Sequence, residues 1–184
     1  NIPSHKMVWG EEGLTGFDAQ PYPRTIKTPQ GYEFDIVSLP GHTPDMHGFI
    51  ERKRQWAFVA DLMQPKYQML FGKTFPQHED IRTIKNSLEK LHSVTEGLDK
   101  LVMFVAGKGV FKGRNIIKQR ISEIEELRQK AHQLNEQYGS ISNERKKMRR
   151  ILRNLFGGES MMDKLTEGEL SRANMVHSLL EWEK

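Results

Sequence analysis

The chain has 184 residues, a net charge of +4, 36% hydrophobic and 28% charged residues, and no cysteine. That suits one domain, or one domain with an appendage. It excludes disulfides, thiolate nucleophiles and thiolate zinc sites, so any metal must be held by His, Asp or Glu. No apolar run approaches the roughly 18 residues that could span a bilayer. The opening "NIPSHKMVWGEEG" lacks the basic start and apolar stretch of a signal peptide. A cytoplasmic chain with no membrane partner is the expectation. Because it begins at Asn1 rather than Met, it reads as a processed or truncated piece of something longer.

Residues 1–31 are rich in Gly and Pro and read as loops with short extended pieces; "FDAQPYPRTIKTPQG" carries three prolines, which disfavours helix. In "YEFDIVSL" Tyr32, Phe34 and Ile36 alternate, a strand signal. "HGFIER" and "QWAFVAD" flank the charged turn Arg52–Arg54 as an antiparallel hairpin, its second strand buried on both faces. "KYQMLFGKTFP" reads as irregular. Residues 78–92 place Ile81, Ile84, Leu88 and Leu91 on one helical face, with acids in the first turn where the helix dipole favours them. "DKLVMFVAGKGV" is a short apolar strand ending in a Gly-rich turn.

From about Asn115 the pattern becomes helical. Ile117, Ile121, Ile124, Leu127, Ala131 and Leu134 form one stripe, whose near-heptad spacing leaves dimerisation open. A second helix runs from about Ser142 to Phe156 and stops at Gly157–Gly158. Ser160 and Thr166 each precede an acid at cap spacing, and "GELSRANMVHSLLEW" is a final helix. The chain therefore divides near residue 112 into a mixed segment, 1–112, and a helical one, 113–184. Trp9, Trp56 and Trp182 are expected to be core or interface residues.

Chemistry concentrates at two strand ends. "LPGHTPDMHG" puts His42 just beyond one strand, and "FVADLM" puts Asp61 at the end of another. A carboxylate there is costly unless it is paired or bound to a metal. By spacing alone, the favoured reading is His42 as a turn residue and Asp61 as a cap for the next segment.

"PGHTPD…WAFVADL" resembles the second half of the metallo-β-lactamase fold superfamily: a strand, a PGHT turn with a metal-binding His, a hairpin, and a strand-end Asp that bridges two metals. "LFGGESMMDKLTEGELSRANMVHSLLEW" also resembles the helical tail of a hydrolase-like branch of that superfamily. The resemblance implies an α/β chain that forms the C-terminal half of an αββα sandwich followed by a helical tail. It implies His42 and Asp61 as metal ligands for Zn²⁺, with Mn²⁺ or Fe as alternatives. It also implies hydrolysis of a small ester, thioester or phosphoester substrate. His47 falls on no ligand position. The family's HxHxDH motif is absent, and Gly107, followed by Lys108, stands where a last ligand His is expected. Two ligands are fewer than the three or four that zinc usually takes. A degenerate relative serving as a binding or assembly module is the alternative. A half-sandwich would expose one sheet face and an unpaired edge, so further N-terminal sequence, a partner chain or exchange between copies in a homo-oligomer is expected to cover it.

Two other stretches have bland and sharp readings. "AGKGVFKGRN" lacks the phosphate-loop pattern GxxxxGK[ST] and reads as a strand-to-helix connection, with an anion site as the alternative. "NERKKMRRILRN", 143–154, carries six basic residues and one acid. With no aromatic interleaved, a solvated helix face is favoured over nucleic-acid contact.

Overall fold

The computed structural model describes residues 23–63, 68–72 and 78–182. A six-stranded sheet is built from β1 (Thr25–Lys27), β2 (Glu33–Ser38), β3 (His47–Glu51), β4 (Trp56–Phe58), β6 (Val102–Val105) and β7 (Gly109–Lys112), side by side in that order. Every pairing is antiparallel except β4 with β6. That parallel pair needs a crossover, and α1 (Ile81–Val94) supplies it. A small second sheet pairs β5 (Met69–Leu70) with β8 (Leu170–Ser171). The remaining helices are α2 (Asn115–Gln137), α3 (Glu144–Phe156), α4 (Met161–Leu165) and α5 (Arg172–Glu181).

The two faces of the large sheet differ. On one, Ile50, Ala57, Met103 and Val105 pack under Ile81, Ile84, Leu88 and Leu91 of α1. The same core continues into Ile117, Ile124 and Ala131 of α2 and into Met175 and Leu179 of α5. On the other face the register sets Ile36, Phe49, Phe58, Phe104 and Val110 in one cross-strand row. Phe58 stacks on Phe104 with centroids 4.6 Å apart, and Phe34 meets Phe58 edge-on at 5.9 Å. This face is half-exposed: Phe58 keeps 37% of its surface and Val110 54%. So β4 is not buried on both faces as its apolar run suggests, because only Ala57 points to the helix layer. Trp56 lies on the aromatic face, edge-on to Phe104. Trp182 packs against the helical core beneath the cations of Lys85 and Arg128. Trp9 lies outside the described residues.

Other differences from the sequence reading have local causes. The first helix starts at Ile81, where Asp80 caps it by accepting from the amides of Arg82 and Thr83. Glu79 therefore stands outside the helix. The "irregular" stretch contains β5, whose partner strand lies about a hundred residues away and leaves no local trace. β7 turns back on β6 because Gly107 and Gly109 take left-handed φ values of 63° and 94°. Ser160 caps α4 through a capping box with Asp163, but Thr166 ends α4 instead of starting a helix. The final helix starts at Arg172, after β8. Among the described residues, no helix is long and apolar enough to cross a membrane.

Candidate functional site

The PGHT turn is held against α1 by three contacts. Ser87 donates its hydroxyl to the Pro40 carbonyl at 2.5 Å, and Lys90 donates to the Ser38 carbonyl at 2.9 Å. Gly41 sits where a Cβ would lie 2.9 Å from Cγ1 of Ile84, so the turn approaches the helix more closely than a larger residue allows. The turn is thus locked before His42 leaves it.

His42 then meets a residue the sequence reading did not connect with it. Its Nδ1 bonds Oε1 of Glu79, a buried carboxylate. The second oxygen of Glu79 accepts the Leu70 amide at 2.7 Å, while the Glu79 amide donates to the Leu70 carbonyl at 3.0 Å. A buried carboxylate is tolerated when it is hydrogen-bonded in this way. The hydrogen bond from Glu79 pushes the His42 pKa above its ordinary value; burial opposes the shift, and the charges of Glu79 and Asp61 add to it.

Asp61 lies three residues past the end of β4, and not on the strand itself. Ala60, just before it, has φ 45°, a left-handed conformation that costs an L-residue about 1–2 kcal/mol. The chain bends sharply there, and the Ala60 carbonyl accepts the Ala106 amide at 2.9 Å. Replacing Ala60 with glycine is expected to stabilise the fold by about 0.5–1 kcal/mol, the relieved strain less the larger entropy of unfolded glycine. Urea unfolding that gives equal or lower stability for the Ala60→Gly chain would show that no strain is stored at this bend.

His42, Asp61 and Glu79 share one cavity of about 90 Å³, closed by Leu62, Gln68, Ile84 and Leu170. That is room for a few waters or a small polar group. The Leu170 wall comes from β8, so the helical tail helps form the cavity. Ser178 of α5 accepts the Ile81 amide at 2.9 Å and donates to Asp80, which fixes the start of α1 beside Glu79. Asn174 donates to the carbonyls of Met69, Gly168 and Glu169, holding β5 against the tail. A larger open depression of about 320 Å³ lies along α2, lined by Arg128, Gln129, His132, Gln133 and Glu136. All five residues come from one helix surface and converge on no point, so size does not make it the site.

The structure places His42 and Asp61 on the same cavity wall. His47 opens β3, bonds the Asp45 carbonyl at 2.6 Å, and does not line the cavity. Gly107 also lies off the cavity wall, in the β6–β7 turn. No group of three or more His, Asp or Glu side chains is placed to hold a metal among the described residues. The donor set is an imidazole whose Nδ1 is anchored by a carboxylate, as metal-ligating histidines usually are, together with one further carboxylate. That chemistry suits zinc, but two donors do not complete a zinc site. Glu79 was hidden in the sequence because it precedes a helix and looks like a dipole partner; only the extended cap at Asp80 leaves it outside the helix, where it meets His42.

No family model matches the sequence. A stretch of 82 residues is 33% identical to hydroxyacylglutathione hydrolase GloC of Haemophilus influenzae, covering 44% of this chain and 35% of that protein. The chain thus spans about a third of the length of this curated relative. A β-lactamase domain protein from Burkholderia ambifaria superposes with a TM-score of 0.57 at 12% identity, over 85% of this chain and 44% of that one. A metallo-β-lactamase family protein from Thermus thermophilus gives 0.54 at 14% identity, over 86% and 46%. The chain carries a metallo-β-lactamase-type fold, a mixed sheet with helices that matches less than half of each of these neighbours.

Proposed function

We propose that the His42–Asp61 cavity is one wall of a metal-dependent hydrolase site, acting on a small ester, thioester or phosphoester. The observation that carries the reading is the anchoring of His42 Nδ1 on buried Glu79, with Asp61 in the same cavity. The similarity to a hydroxyacylglutathione hydrolase supports a thioester within that class. Zinc, or manganese or iron, would supply an activated water. His42 and Asp61 would hold it, and Glu79 would keep the imidazole in one tautomer and orientation. Further ligands would come from outside the described residues, whether elsewhere in this chain, in additional N-terminal sequence or in a second copy of the chain. Such a partner would also cover the half-exposed aromatic face. A cytoplasmic setting is part of the same reading.

A second reading is a non-catalytic module of the same fold, favoured by the two-donor set and by Gly107 in a turn off the cavity. Zinc and manganese titrations of the purified chain, followed by calorimetry and elemental analysis, separate the two. The hydrolase reading expects metal uptake that His42→Ala or Asp61→Asn abolishes, and expects Glu79→Gln to weaken uptake by about 10–100-fold. A chain that takes up neither metal, and cleaves no ester, thioester or phosphoester afterwards, would exclude a site completed within this chain or between its copies and leave the module reading for it.

A further inference from the structure

The net positive charge of this protein sits on one helix. Residues 143–154 carry six basic side chains and one acid, whereas the other 172 residues carry 22 basic and 23 acidic ones. The chain is therefore close to neutral apart from α3. On α3, Arg145, Lys146, Arg149, Arg150 and Arg153 are exposed and Lys147 is half-buried. Arg145, Arg149 and Arg153 form one i, i+4 row, and Lys146 and Arg150 form the row beside it, so the five exposed cations share a face. Among the described residues, none of the six forms an ion pair with a carboxylate.

This arrangement works against the stability of the helix. Like charges at i, i+4 repel, and the cations of the first turn face the positive end of the helix dipole. The opposite face compensates. Ile151 and Leu152 are buried against Leu134 and Val176, Asn143 caps the start by accepting the Lys146 amide at 2.9 Å, and Gly157 ends the helix at φ 75°. At the far end of α2, Arg150 lies over the Tyr138 ring at 5.7 Å, and Asn154 donates to the Tyr138 hydroxyl. The cationic face is thus presented by a helix that is capped at both ends and packed along its apolar face. A local rule broken on a well-anchored element points to function rather than to folding.

We propose that the exposed face of α3 is a docking surface for double-stranded nucleic acid, held through its phosphates without reading sequence. Three observations choose this partner. A duplex offers a dense and regular array of negative charge, about one per 1.7 Å of axis, which suits two parallel rows of cations. The exposed positions of α3 hold no aromatic side chain, so there is no platform for stacking single-stranded bases. The apolar face of α3 is committed to the core, so the helix has nothing to insert into a lipid surface. The inference is independent of the hydrolase reading and of any metal.

Fluorescence anisotropy of the full chain with a labelled duplex of about 20 base pairs tests it. If about four phosphates are contacted, affinity is expected to fall roughly 10²-fold between about 50 and 200 mM salt, with little dependence on base sequence. Arg145→Gln with Arg149→Gln and Arg153→Gln should weaken binding by at least about tenfold and flatten the salt dependence. Lys146→Gln with Arg150→Gln, on the neighbouring row, should act the same way and guards against misfolding of the first variant. A charge-matched control, Lys53→Gln with Lys100→Gln and Lys112→Gln, should bind like the parent; these three lysines are exposed and lie away from α3. No binding at the lower salt, or equal binding by the α3 variants, would overturn the proposal. So would capture by phosphatidylserine vesicles or by a polyglutamate peptide without capture of the duplex.

Discussion

Replacing Glu79 with alanine is expected to lower the thermal midpoint by about 2–12 °C, and to bring the His42 pKa down toward the ordinary histidine value. Glu79 is buried and serves two partners, His42 Nδ1 and the Leu70 amide. Truncation leaves a buried amide without an acceptor, which costs about 1–3 kcal/mol, and frees the imidazole as well. Glu79→Gln keeps the volume and an acceptor oxygen, so it should cost less stability yet still lose most of the shift on His42. The pH dependence follows from the same contact. His42 is raised in the folded chain, so the native state holds a proton at pH values where the unfolded chain has released it. That contribution is fully present below the unfolded pKa and is lost as pH rises through the higher folded one. Stability should therefore fall across that window in the metal-free parent and fall less in Glu79→Gln. Proton NMR titration of His42 and thermal melts at several pH values measure both. An unchanged midpoint in Glu79→Ala, with an unchanged His42 titration, would sink the assignment. A bound metal requires a neutral imidazole, so metal and proton would compete for His42, and uptake should weaken at acid pH.

Leu179→Ala should destabilise the whole chain by about 2–5 kcal/mol, in a single transition seen by both helical and aromatic signals. Leu179 is fully buried on α5, yet it belongs to the core that holds Leu88 of α1 and Met103 of β6. Through Ser178, the same helix fixes the start of α1. The damage should therefore reach the His42 cavity as well as the tail, and Leu179→Ala should alter the His42 NMR signal. Two separate unfolding steps, with the sheet melting unchanged, would instead favour independent units meeting near residue 112.

What local physics controls was legible in the residues alone. Alternation made β2 visible, and period 3.6 made α1, α2 and α3 visible, each to within a few residues. The Gly157 stop bounded α3 because a cap acts on its nearest neighbours, whereas the start, read near Ser142, falls at Glu144 behind the Asn143 cap. His42 and Asp61 were singled out by the resemblance to the metallo-β-lactamase superfamily, since their spacing alone favoured a turn residue and a cap. The concentration of charge on 143–154 could also be counted directly.

Features that join residues far apart in the chain became visible only in three dimensions. β5 exists because β8 lies beside it, and neither is long enough to show a period. The two-sided burial expected of β4 gave way to an aromatic face, because hydrophobicity does not say which side a helix will cover. Glu79 became the anchor of His42 only when the cap at Asp80 set the start of the helix after it and β5 supplied a second bond. Whether the cations of α3 were neutralised by acids elsewhere could not be read from composition. The fold placed no carboxylate in an ion pair with them among the described residues, and so left a cationic face where the sequence showed only a basic helix.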